Sequence, residues 1–152
     1  MKELVTWSES LSVGIEEIDD QHRVLVDLLN QVYDAVVLKK AEAEIAEVIQ
    51  QLNDYTRIHF ALEESMMRLL GYAEYEAHKA RHEKLVAELN RYAERFNEKG
   101  ASISFELLQF LKDWLTKHIQ ESDRGYTSHF IACGAKKKNV ASGNWMKRLL
   151  QR

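Results

Sequence analysis

Proline is missing altogether from these 152 residues, and a chain rich in Leu, Ala, Glu and Lys without it favours long uninterrupted helices over strands and tight turns. An all-α fold is the first expectation. The single cysteine, Cys133, excludes an intrachain disulfide and puts thiolate zinc sites out of reach. It reads as a free, mostly structural thiol and fits a reducing compartment. No apolar run approaches the roughly 20 residues of a membrane span, and the opening MKELVTWSES has neither a basic stretch leading into an apolar one nor a small-residue cleavage site. A soluble, unexported, cytoplasmic protein is expected. Acids are missing from residues 133–152, where Lys136, Lys137, Lys138, Lys147, Arg148 and Arg152 stand without a counter-charge. Taking that +6 from the net charge of −3 leaves −9 on residues 1–132. An acidic body excludes nucleic acid as a partner, because phosphate contacts need clustered cations.

What the chain does have is helical periodicity. Apolar residues recur at spacings of three and four in four segments: Ile18 to Val36, Ile45 to Leu70, Tyr75 to Phe96, and Leu107 to Ile119. Asp19 or Asp20 is available to cap the first, and Gly71 to close the second. The connection Leu38-Lys39-Lys40-Ala41-Glu42 contains no helix stop, so one continuous helix there is the competing reading. Four amphipathic helices with short connections imply an antiparallel, up-down-up-down four-helix bundle. Residues 1–17, with Trp7, Leu11, Val13 and Ile15 off any helical spacing, read as an extended N-terminal arm packed on the surface. Residues 1–132 thus form the bundle domain with its arm, and 133–152 a short basic C-terminal extension in which Trp145, Leu149 and Leu150 stand among the cations.

Five histidines fall on the apolar stripes: His22, His59, His78, His82 and His118. Any one of them, alone, reads as a core histidine bonded to a neighbour. Five together would bury many donors and acceptors in a core that offers few partners, which a metal centre resolves. The spacings agree. His59 and Glu63 in HFALE, and His78 and His82 in HKARH, are each four residues apart, about 40° around a helix axis. His118 and Asp123 in HIQESD are five apart, about 140° on a regular helix, so they meet only if the helix loosens in a π-type turn or ends early around Gln120 to Ser122. Alone, Asp123 reads as a solvated acid; coordination arithmetic favours a ligand. Five imidazole bonds, four from two bridging carboxylates and two from a bridging oxide or hydroxide make eleven, where two octahedral metals need twelve. One position stays open. A bridged pair with one vacancy favours iron over zinc, and the Glu-x-x-His motifs of carboxylate-rich di-iron oxidases do not occur here.

With these residues in place, the sequence resembles the hemerythrin family, in particular single-domain bacteriohemerythrins, over about Trp7 to Phe130. The motifs that carry the likeness are IDDQH followed by Leu25 and Asn30, HFALEE, HKARH and HIQESDRGY. The resemblance implies that His22 and His59 bind one iron and His78, His82 and His118 the other, with Glu63, Asp123 and an oxide or hydroxide bridging the two ions. It implies dioxygen as the ligand of the two-histidine iron, in a dry pocket of Leu25, Phe60, Trp114, Leu115 and Ile119. It also implies reversible oxygen binding for storage, transport or delivery, not catalysis. Rival uses of the same centre are an oxygen or redox sensor, or an oxidative sink reducing peroxide or nitric oxide. Tyr126, near Asp123, reads as packing or as support for the ligands rather than a catalyst, and His129 as a surface residue outside the ligand set. The basic extension departs from the family pattern; its expected role is either a solvated terminus or a contact with a membrane surface or an oxygen-consuming enzyme.

Overall fold

The computed structural model describes residues 3–134, the side chains of 121–124 excepted. Four long helices, α1 (Glu16–Val37), α2 (Glu42–Leu69), α3 (Tyr75–Lys99) and α4 (Ser104–Lys117), follow one another through short connections, and a short α5 (Thr127–Ala132) comes after them. Such connections force neighbouring helices to run antiparallel. Helix α2 packs on both α1 and α3, while α4 returns against α1 and, less closely, against α3. Each helix turns one stripe inward: Ile18, Leu25, Leu29 and Val32 from α1, Ile45, Ile49, Leu52 and Met66 from α2, Leu89 and Phe96 from α3, and Leu107, Leu111 and Leu115 from α4. Each such side chain contributes roughly 1.5–3 kcal/mol when fully buried. None of the described helices is long and apolar enough to cross a membrane.

The connection after α1 is a break, not a continuous helix, and its cause is a residue the sequence does not mark as a stop. Lys39 adopts φ 52; its N–H donates to the Val36 carbonyl at 3.1 Å, and that of Lys40 donates to the Ala35 carbonyl at 3.0 Å. Helix α2 ends with the same pair of bonds around Gly71, from Gly71 to Arg68 and from Tyr72 to Met67. This is the Schellman closure, in which the left-handed position usually belongs to glycine. Lysine there carries a left-handed cost of roughly 1–2 kcal/mol, and glycine would give back roughly 0.5–1 kcal/mol of it as chain entropy. Lys39→Gly is therefore expected to stabilise the fold by about 0.5–1 kcal/mol. An unchanged or lower urea midpoint would count against the account of this turn.

The N-terminal arm is more deeply built in than a surface strap. Val5, Leu11, Val13 and Ile15 are all buried, and helix α1 starts at Glu16, inside the span read as arm. Asn30 holds the arm's start, its Oδ1 accepting from Leu4 N–H at 2.9 Å and Val5 N–H at 3.0 Å while its Nδ2 donates to the Val5 carbonyl. Asp19 corrects another expectation. It lies within α1, whose N-cap is Ile15 without a side-chain bond, and its buried carboxylate accepts instead from Val13 N–H at 2.8 Å and Ser12 Oγ at 2.5 Å.

Helix α5 docks back on the bundle through His129, whose Nε2 meets the Leu70 carbonyl at 2.6 Å, and through Thr127, whose hydroxyl donates to the Val13 carbonyl. Cys133 is exposed rather than packed as a structural thiol. Residues 135–152, which include all six cations of the basic extension and its apolar residues, lie outside the described residues, as do the membrane and partner roles considered for them.

Candidate metal centre

Antiparallel order brings the start of α1, the end of α2, the start of α3 and the end of α4 to one end of the bundle. The five stripe histidines all lie there, and all are buried together with Glu63. They form two groups. Ligand atoms of His22, His59 and Glu63 lie within 4.8 Å of one another, and so do those of His78, His82 and His118. Glu63 reaches both: its Oε1 contacts His59 Nε2 and stands 3.8 Å from His22 Nε2, while its Oε2 stands 3.8 Å from His78 Nε2. The i,i+4 spacing of His59 and Glu63 explains how one helix aims both at the same point.

Two of the imidazoles are oriented from behind. His59 Nδ1 lies 2.6 Å from Gln21 Oε1, which only accepts, so Nδ1 carries the proton and Nε2 is left to face Glu63. His82 Nδ1 lies 3.0 Å from Glu64 Oε2, which fixes the same tautomer for a carboxylate acceptor. Burial pushes the Glu64 carboxyl above its ordinary value; Lys79 draws it back, and Glu83 and Glu63 push it up. A lone-pair nitrogen aimed at a buried carboxylate, repeated around one small volume, suits a cation. Neutral imidazole with carboxylate is a donor set for iron, zinc, copper or manganese.

The loosened helix is also present. After Lys117 the chain runs as a π turn, His118–Ser122, and then a tighter turn, Asp123–Tyr126. In a π turn the backbone bond closes i to i+5, so the residue five after His118 returns toward its face. The Asp123 side chain is outside the described residues; its backbone follows the π turn directly. The arm's turn at Glu9–Leu11 packs against this segment.

Around the histidines the surroundings are apolar. Leu25, Phe60, Trp114, Leu115 and Ile119 are all buried. Phe60 stacks on His82 with ring centroids 3.8 Å apart and planes at 1°, and reaches His118 at 5.0 Å. Tyr126 lies 5.7 Å from the His78 ring and stacks on Phe130, in keeping with a packing role. A groove of about 810 Å³ between α3 and α4 has Trp114 and His118 among its lining residues. His129 belongs to neither histidine group.

Comparison with known proteins decides the family. Residues 13–129 match the hemerythrin HHE cation binding domain. The chain belongs to the hemerythrin family. The bacteriohemerythrin of Pseudomonas aeruginosa is 38% identical over 151 residues, covering 97% of this chain and 96% of the relative. That of Methylococcus capsulatus is 33% identical over 81% of this chain and 94% of its own. A crystal structure of wild-type hemerythrin superposes with a TM-score of 0.75 at 32% identity, covering 82% of this chain and 96% of that one. The fold is thus the hemerythrin bundle, and the domain match adds cation binding to what the donor set already indicates.

Gln21 and Glu64 are the site residues that sequence reasoning passed over. Both sit inside quoted motifs, Gln21 before His22 in IDDQH and Glu64 after Glu63 in HFALEE. Each serves a histidine on the next helix, so spacing along one chain segment does not disclose the pairing. The available signal was the second acid of HFALEE, turned about 100° from Glu63 and hence off the core stripe.

Proposed function

We propose that this hemerythrin-family chain binds dioxygen reversibly at a non-haem centre of two iron ions, for oxygen storage, transport or delivery. His22 and His59 would hold one ion and His78, His82 and His118 the other, with Glu63, Asp123 and an oxide or hydroxide as bridges. The single observation that carries this reading is Glu63, whose two oxygens are turned to different histidine groups. A site for one ion would have no use for the second group.

Iron supplies the reversible electron transfer that dioxygen binding requires. The protein's part is to hold and to exclude. Gln21 and Glu64 keep two imidazole rings in the tautomer that presents Nε2. Leu25, Phe60, Trp114, Leu115 and Ile119 keep water from the centre, and with it the protons and anions that would make oxygen uptake irreversible. Leu25, Phe60, Trp114, Leu115 and Ile119 carry no carboxyl, hydroxyl or amine, so the pocket they line supplies no general acid, which favours binding over turnover.

The test is an absorption spectrum of the reduced, iron-loaded, full-length protein through repeated cycles of air and argon, with iron counted per chain. The expected result is a near-ultraviolet and visible band that appears in air, leaves under argon and survives several cycles, with two irons bound. Irreversible bleaching, or sustained consumption of peroxide or nitric oxide in the presence of a reductant, would replace this reading with that of an oxidative sink.

A further inference from the structure

One histidine of each group is held from behind by a side chain of the neighbouring helix, and the two holders differ in charge. His59 donates through Nδ1 to the neutral carboxamide of Gln21 at 2.6 Å, and His82 donates through Nδ1 to the carboxylate of Glu64 at 3.0 Å. Glu64 is 19% exposed and, with His82 and Phe60, lines a cleft of about 340 Å³ between α2 and α3. The stacked Phe60 ring holds His82 in place against it.

An imidazole that shares its Nδ1 proton with a carboxylate carries more electron density at Nε2 than one bonded to an amide, and is the stronger donor to a metal. A stronger donor favours the more highly charged oxidation state. The neighbouring charges partly cancel, since Lys79 opposes Glu64 and Glu83 reinforces it. The hydrogen bond, by contrast, acts on His82 directly.

We infer that Glu64 and Gln21 are positioning residues that make the two halves of the centre electronically unequal, so that the first electron leaves the iron on the side of His78, His82 and His118. This rests on the two-iron reading above. The asymmetry gives the centre an order of oxidation, with Glu64 setting the potential of the first step and Gln21 that of the second.

Redox titration of the iron-loaded full chain, followed by absorption, tests it. Glu64→Gln keeps an acceptor for His82 Nδ1 and removes only the charge. It is expected to weaken the ferric preference of the first one-electron step about tenfold, which is about 59 mV upward, and to leave the second step nearly unmoved. Gln21→Glu should lower the second step by a similar factor, and the double variant should bring the two steps together or reverse them. Glu83→Gln, a charge removed from the same cleft without a bond to a histidine, should move neither step by more than about twofold. Glu64→Ala, which removes the bond as well as its charge, should shift the first step upward at least as far as Glu64→Gln does. The inference fails if Glu64→Gln moves the first step less than twofold, moves only the second, or is matched by Glu83→Gln. Iron is counted in the unmodified protein first. Fewer than two irons there would sink the two-iron reading itself, whereas two irons with unmoved potentials would sink only the inequality.

Discussion

Chelating the iron from the loaded protein is expected to lower its melting temperature by on the order of 10 °C, and Glu63→Ala should cut that difference by more than half. The size follows from linkage. A ligand present at a thousandfold excess over its Kd adds about 4 kcal/mol, and each kcal/mol moves the midpoint of a domain of this size by about 2–4 °C. The sign follows from the site. Without metal, five buried imidazoles and a buried carboxylate share one end of the core, where charge and unsolvated dipoles are costly. A bound metal would turn those same groups into ligands. Alanine at position 63 removes the side chain that reaches both histidine groups, so it should affect the loaded protein far more than the empty one. In the empty protein the lost burial of a charge offsets the small cavity, and the two apo midpoints should agree within a few degrees, roughly 1–2 kcal/mol. Calorimetry of four samples, native and variant with and without iron, decides it. A native midpoint indifferent to iron, or a Glu63→Ala midpoint that still rises fully with iron, would refute the role given to this carboxylate.

The parts of this architecture that one chain segment determines were legible before any coordinates. The stripe from Ile18 to Val36 and the i,i+4 pairs His59–Glu63 and His78–His82 are consequences of helical pitch alone, and the buried faces follow them. The parts that depend on a neighbour were not. Lys39 ends α1 in a conformation normally given to glycine, so composition carries no sign of the break. Asp19 has the chemistry of a helix cap, yet its partners are the arm's Val13 and Ser12, and the apolar residues of that arm are core members because α1 and α5 supply their surroundings. Gln21 and Glu64 look like surface residues beside ligands until α1, α2 and α3 are placed side by side. The π turn is an intermediate case. It was legible only because two groups of metal-binding chemistry stood five residues apart, a spacing a regular helix spoils, and the helix is irregular there.

That irregularity makes position, not composition, the critical property of HIQESD. Exchanging its last two residues, Ser122→Asp with Asp123→Ser, is expected to weaken iron binding by more than about 100-fold, because changes that merely disorient a ligand already cost about 10–100-fold. With one residue added in the π turn, the residue five after His118 takes the place that i+4 holds in a regular helix, and moving the carboxylate one residue back turns it by about 100°. Deleting Gln120 should behave differently. A π turn is an α-helix with one residue added, so the deletion closes it to a regular turn and brings the Asp123 carboxylate to the i+4 position, the spacing by which His59 and Glu63 already reach one point. The buried, stacked rings of Tyr126 and Phe130 keep their phase in the shortened chain, so its fold should survive. The deletion variant is therefore expected to bind iron more tightly than the exchange variant, although it has lost a residue and the exchange has lost none. Competition against a chelator ranks the two, with Asp123→Ala marking complete loss of the carboxylate. An exchange variant that binds like the native protein, or a deletion variant no better than Asp123→Ala, would show that the turn does not aim Asp123 at the centre.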